Sequence, residues 1–258
     1  MIQTGLVSVT FREFQPAQIV NLVQQAGLQA IEWGGDVHVP HGDIKRAREV
    51  VKITLEAGLQ VAAYGSYYKA GCEDGTISFE KVLETAVELQ APSLRIWAGD
   101  VGSDQAEAAD WHRVIDDARR ISALAAKTGI NLAFEYHEKT LTDTSEAALR
   151  LLKAIDSPNI LSYWQPPVAL DLDARLAGLR EIAPWLSNLH VFNQTGEEPE
   201  PLAEGRDEWS KYMNIVREIP GDRFCMLEFV KGNSTSQFFE DAEALKSICI
   251  DAAIRGLA

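Results

Sequence analysis

Cysteine is scarce in this chain. Three occur in 258 residues, Cys72, Cys225 and Cys249; their odd number argues against a disulfide framework, and their spacing is not of a metal-binding type. Positive charge is also in deficit, with 24 lysines and arginines against 38 aspartates and glutamates and a formal net charge of −14. A binder of the nucleic-acid backbone gains from counterion release at a basic face, so no nucleic-acid partner is expected. The same acidity argues against an anionic membrane surface. No run approaches the length of a transmembrane helix, and the opening MIQTGLVSVTFREF lacks the basic flank and apolar stretch of a signal peptide. A cytoplasmic location is the resulting expectation. Low-complexity segments and long linkers are missing as well, so residues 1–258 read as one domain.

What is present is an alternation. Short β-branched or aromatic runs recur at GLVSVTF (5–11), QAIEWG (29–34), LQVAAYG (59–65) and SLRIWAG (93–99). They continue at NLAFEYH (131–137), NILSYWQ (159–165), NLHVFN (188–193) and FCMLEFV (224–230). Between them lie stretches with apolar residues at helical spacing, such as PAQIVNLVQQAG (16–27), FEKVLETAVELQ (79–90), WHRVIDDARRISALAAKTG (111–129) and DAEALKSICIDAAIRGL (241–257). Eight such β-then-α units predict an α/β fold with a parallel sheet, of the size that closes into a single (β/α)₈ TIM barrel. A doubly wound open sheet would want a G-x-G-x-x-G after its first strand, and GLVSVTFREF has none. The acidic segment GEEPEPLAEGRDEW (196–209) reads as a solvated loop.

Barrel enzymes work where strands run into the following loops. The fifth run ends in Glu135 and His137 and the sixth in Gln165; the seventh carries His190 and Asn193, and the eighth Glu228. Side chains alternate between the two faces of a strand. With Glu228 inward, Phe224 and Met226 are inside and Cys225, Leu227 and Phe229 face the helices. With Glu135 inward, Leu132, Phe134 and Tyr136 face out; with His190 inward, so do Leu189 and Val191. Gln165 inward puts Leu161 and Tyr163 inside. Singly, each residue has an ordinary structural explanation; matched positions on separate strands are harder to explain that way. Glu135, Gln165, His190 and Glu228 make an oxygen-rich donor set with one imidazole, suited to one divalent ion, Mn²⁺, Co²⁺ or Mg²⁺, with Zn²⁺ less favoured. The amide of Gln165 brings an oxygen without charge, which leaves such an ion the stronger Lewis acid.

FEYH, NLHVFN and MLEFV, with IEWGGDVH early in the chain, resemble the xylose isomerase-like TIM-barrel superfamily, the sugar phosphate isomerase/epimerase family, over nearly the whole length. The resemblance implies metal ligands from the ends of strands five to eight, here Glu135, Gln165, His190 and Glu228. Family members usually carry Asp-x-x-His at the second of these, where this chain has Gln165-Pro166-Pro167-Val168, and Asn193 stands where an aspartate is common. The implied activity is isomerisation or epimerisation of a small sugar or keto-sugar through an enediolate, with Glu135 and Glu228 as paired proton carriers. Substrate contacts are expected from Glu32, Trp33, His38, Tyr64, Trp97 and His137, and from Lys231 toward an anionic group. The competing readings are an inosose-dehydratase-like lyase on the same scaffold and a non-catalytic sugar-binding barrel. The partner in each case is a small sugar-like molecule, and a homo-oligomer is compatible with all three.

Overall fold

The structure is a computed structural model that describes residues 1–72, 77–196 and 198–254, with side chains to residue 250. Among the described residues, eight parallel strands close into a barrel in the order β1-β10-β7-β6-β5-β4-β3-β2. They are β1 (Ile2–Val7), β2 (Ala30–Gly34), β3 (Gln60–Lys69), β4 (Ser93–Trp97), β5 (Asn131–Phe134), β6 (Ile160–Trp164), β7 (Leu186–Val191) and β10 (Arg223–Leu227). The helices that follow them are α1 (Pro16–Gln25), α2 (Ile44–Glu56), α3 (Phe79–Glu88), α4 (Ala108–Ala126), α5 (Ser145–Ile155), α6 (Leu172–Ile182), α7 (Arg206–Glu218) and α8 (Thr235–Ile254). None of them is long and apolar enough to cross a membrane.

The helices start where local chemistry dictates. α1 opens with Pro16 in its first turn and a reciprocal capping box between Gln15 and Gln18. The Thr144 hydroxyl accepts from the backbone N–H of Ala147 to cap α5. The apolar residues fall into two bodies. A large outer one, between strands and helices, holds Leu132, Phe134, Tyr136, Ile160, Trp164, Leu189, Val191, Cys225 and Leu227. A small inner one fills the barrel with Val7, Ala30, Ala62, Ala63, Ala133, Tyr163 and Met226, against which Leu161 and Phe224 pack. The alternation read from the four site-bearing strands thus matches the structure in every residue but one. Phe229 adopts the left-handed backbone region at φ 59°, which breaks the alternation; it is 45% exposed against Phe192 instead of lying under the helices.

Two further expectations need correction. The first run was expected to be strand through Phe11, but the strand stops at Val7 and Ser8–Phe11 form a 3-10 turn. The Ser8 hydroxyl there accepts from the Gly34 N–H at 2.9 Å and meets His38 Nδ1 at 2.9 Å, holding the chain against the end of β2. The acidic segment after residue 195 is not simply a loop. β8 (Asn193–Thr195) and β9 (Glu198–Glu200) form an antiparallel hairpin, a 3-10 turn covers Leu202–Gly205, and Asp207 and Glu208 lie in the first turn of α7. Carboxylates there complement the helix dipole.

Candidate metal centre at the strand ends

The site residues sit just past the ends of their strands, and the sheet ladder carries them there. The Glu135 N–H donates to the Ile96 carbonyl at 3.0 Å, and the Glu228 N–H to the Val191 carbonyl at 3.0 Å. Each glutamate is therefore held by one more ladder bond beyond β5 or β10. His190 lies within β7, in register with Met226. Gln165 follows β6 directly, and Pro166 and Pro167 end the strand because they have no N–H to donate.

Three oxygens converge on one nitrogen. His190 Nδ1 lies 3.0 Å from Gln165 Oε1, 3.1 Å from Glu228 Oε2 and 3.3 Å from Glu135 Oε1. One N–H cannot donate to three acceptors. Glu228 Oε2 is buried and makes no hydrogen bond among the described residues, although it stands 3.1 Å from His190 Nδ1. Ligands about 2.0–2.2 Å from a shared ion stand roughly 3.0–3.5 Å apart, which is the spacing around Nδ1. Ligand atoms of Glu135, His190 and Glu228 all lie within 4.8 Å of one another. The donor set and its spacing fit a divalent cation.

The remaining contacts orient these atoms. Gln165 Nε2 donates to the Tyr136 carbonyl at 2.7 Å, which turns Oε1 toward His190. An amide can satisfy that carbonyl and still present an oxygen; an aspartate has no donor for it. His190 Nε2 faces Glu32 Oε2 at 3.4 Å, the arrangement in which a metal-ligating histidine donates its other N–H to a carboxylate. Burial alone would push the His190 imidazole down, but the charges of Glu228 and Glu32 and the close carboxylate oxygens of Glu135 and Glu228 outweigh it and hold it well above its ordinary value. Tyr163, edge-on to His190 at 4.9 Å and hydrogen-bonded by Asn188 Nδ2 at 3.0 Å, forms the floor.

Beneath the cluster lies a buried ion-pair network that the sequence reading missed. Arg95 Nε donates to Glu32 Oε1 at 2.6 Å, and its Nη1 donates to Glu135 Oε2. The indole N–H of Trp97 donates to the same Glu135 oxygen at 2.6 Å. Glu135 is thus gripped through Oε2 while Oε1 faces the cluster. Burial alone would raise the Glu135 carboxyl; the Arg95 charge and the hydrogen bonds from His190 and Trp97 outweigh it and hold it well below the usual carboxylate range. Glu32 is lowered in the same way, burial being outweighed by Arg95 and His190. A signal was available: an arginine between Leu94 and Ile96, in the middle of a short buried strand, is uncommon without a partner.

The expected pocket residues separate into four groups. Trp97 and His137 stack with ring centroids 4.3 Å apart, beside Glu135, and Tyr67 meets Trp97 edge-on at 5.5 Å. Glu32 is at the cluster but fully buried against Arg95 and His190, with no exposed face. Trp33, His38 and Tyr64 are not brought to the site. Trp33 and Tyr64 lie in the outer apolar layer, Tyr64 donates to the Val39 carbonyl at 2.7 Å, and His38 is tied to Ser8. Parity explains Trp33 and Tyr64, since Trp33 follows the inward Glu32 and Tyr64 is in register with Trp33. Lys231 is half exposed and paired with Glu200 at 2.5 Å.

Comparison with known proteins agrees with this architecture. The chain is 24% identical to a 3-dehydroshikimate dehydratase of Bacillus anthracis, over 89% of this chain and 91% of that protein. The crystal structure of the probable 3-DHS dehydratase from Bacillus anthracis superposes with a TM-score of 0.78 at 20% identity, covering 95% of this chain and 99% of that one. A xylose isomerase-like TIM barrel protein from Mycobacterium smegmatis, solved in complex with magnesium, gives a TM-score of 0.77 at 16% identity and covers 97% of both chains. A D-psicose 3-epimerase from Clostridium cellulolyticum gives 0.74 at 14% identity, covering 95% of this chain and 97% of that one. Residues 20–248 match the family described as xylose isomerase-like TIM barrel, and the chain belongs to that family.

Proposed function

We propose that the protein is a divalent-metal-dependent lyase of the dehydratase type, acting on a small polyhydroxylated ketone. Glu135, Gln165, His190 and Glu228 would hold one ion, Mn²⁺, Co²⁺ or Mg²⁺. Such an ion, when bound, supplies Lewis acidity toward a substrate oxygen. The observation that carries the choice of lyase over epimerase is the grip on Glu135. Its Oε2 already accepts from Arg95 and Trp97, and its Oε1 faces the cluster. Epimerisation by two carboxylates needs a proton carrier on each face of the reacting carbon, and Glu135 has no oxygen free to be one. Dehydration needs a single group that takes the proton beside the carbonyl and returns it to the departing hydroxyl.

His137 suits that role. It stands two residues after Glu135, and its Nδ1 donates to the Glu138 carbonyl at 2.7 Å, which leaves the lone pair on Nε2. The face of Trp97 fixes the ring plane. A second reading, epimerase, is favoured by Glu228, whose Oε2 is unengaged by hydrogen bonds.

Protein loaded with Mn²⁺ should dehydrate 3-dehydroshikimate, or a ketone like it, to a more conjugated product visible in the ultraviolet. His137→Gln should lower kcat by about 100- to 10,000-fold with metal content unchanged. Inversion at C3 of D-psicose without loss of water from any ketone would replace this reading with the epimerase.

A further inference from the structure

The face of the barrel opposite the metal centre holds a cavity of about 610 Å³, well within the range of small-molecule sites. It opens between β1, β10, α7 and α8, with Ile2, Val216, Ile219 and Ile250 among its apolar walls. Arg223, at the first residue of β10, stands five residues before Glu228, about 15 Å away along an extended chain. The two sites are separate.

Its charge runs against the acidity of the rest of the chain. Arg217, Arg223 and Lys246 all line it. Lys246 is neutralised by Glu243, and the nearby Asp222 is taken up by the amino-terminal ammonium. Among the described residues neither guanidinium forms an ion pair with a carboxylate, and Asp222 acts on Arg223 only through its charge. Arg223 is 3% exposed; its Nη2 donates to the Ile219 and Pro220 carbonyls at 3.1 and 2.7 Å, closing the loop from α7 to β10. Its Nε and Nη1 are buried without a hydrogen-bond partner among the described residues. Among the described residues Arg217 makes one long hydrogen bond, from Nη2 to the Cys249 carbonyl at 3.4 Å. A guanidinium held in a poorly hydrated setting without a counter-charge is unfavourable. Capping a loop does not require one, because the two carbonyls use a single nitrogen.

We propose that this cavity is a second ligand site, for an organic carboxylate with an apolar body. The carboxylate lies against Arg217, within the field of Arg223, and the hydrocarbon covers Val216, Ile219 and Ile250. Burial lowers both arginines from their ordinary value, a penalty that an anion in the cavity offsets. A phosphate is a poorer fit, since most of the wall is apolar.

Hexanoate is the probe, titrated calorimetrically into the full-length protein with Mn²⁺ present, with hexan-1-ol as the uncharged control. Hexanoate binds, and hexan-1-ol binds far more weakly. In Arg217→Gln combined with Lys246→Gln, hexanoate affinity falls about tenfold or more, the loss expected for a charge-assisted hydrogen bond, while Mn²⁺ affinity stays at the wild-type level and reports an intact barrel. Arg223 is left in place because its loop contacts make it a folding risk. No hexanoate binding to the wild type, equal binding of the alcohol, or hexanoate affinity unchanged in the double variant would each overturn the proposal.

Discussion

At Arg95 a guanidinium that is 2% exposed joins two carboxylates from different strands, Glu32 on β2 and Glu135 past β5. Removing it leaves both carboxylates buried with only His190 and the Trp97 N–H as partners, and breaking a buried pair this way typically destabilises by about 3–5 kcal/mol. Arg95→Met, nearly as long and uncharged, should lose that much in denaturant unfolding of the metal-free protein. A loss under about 1 kcal/mol, the range of an exposed pair, would mean the carboxylates have another way to shed charge. Gln165 makes the complementary case. Gln165→Glu keeps the shape, but sets an acceptor against the Tyr136 carbonyl, 2.7 Å away, and adds a third carboxylate to the cluster. The metal-free variant should be less stable by about 1–3 kcal/mol, and Mn²⁺ should raise its Tm by more than it raises the wild type's. Equal melting of the two metal-free proteins would show that the amide is not held as described. Glu135, His190 and Glu228 were legible in the sequence because each closes or occupies an apolar run at the same end. Arg95 was not, because its strand looked like any other and nothing local showed that its partners were 63 and 40 residues away.

Between neighbouring strands the site depends on positions that carry no chemistry. Gly65 lies on β3 in register with Arg95 on β4. A Cβ there would meet Arg95 Nη2 at 2.6 Å and Glu32 Oε1 at 2.9 Å. The backbone of Gly65 is not left-handed, so the strand itself accepts alanine, and the conflict falls on the ion pair. Gly65→Ala should leave far-ultraviolet circular dichroism unchanged and weaken Mn²⁺ binding by about 10- to 100-fold, the usual effect of disturbing groups that orient metal ligands. Unchanged affinity would show that the pair can move aside without disturbing Glu135. The eight-fold alternation was readable because each run is short, apolar and followed by a helical pattern. Strand ends were harder to place. β1 stops early because Ser8 bonds to the neighbouring segment, and β3 runs on to Lys69, past the left-handed Tyr67 and an irregular stretch of pairing with β4. Those outcomes rest on tertiary hydrogen bonds that no local window contains.

Across the whole molecule, closing the barrel puts every tyrosine in a place where ionisation is unfavourable. Tyr163 lies inside the barrel, and Tyr64, Tyr136 and Tyr212 lie in the outer apolar layer. Burial pushes Tyr136 and Tyr212 up to about 12, and it also raises Tyr64, Tyr67, Tyr68 and Tyr163 above the ordinary value. These six are all the tyrosines in the chain. In the unfolded chain the phenols ionise near 10, so above that pH the native state binds more protons than the unfolded state, and stability falls as pH rises. The contribution is fully present below about pH 10 and is lost as pH climbs through the folded values. An alkaline titration should therefore show little tyrosinate absorbance near pH 10. The band should then appear in one cooperative step together with the loss of far-ultraviolet circular dichroism. A smooth titration centred near 10 with the circular dichroism intact would mean that the phenols reach solvent in the native barrel, and that the outer layer is looser than its packing shows.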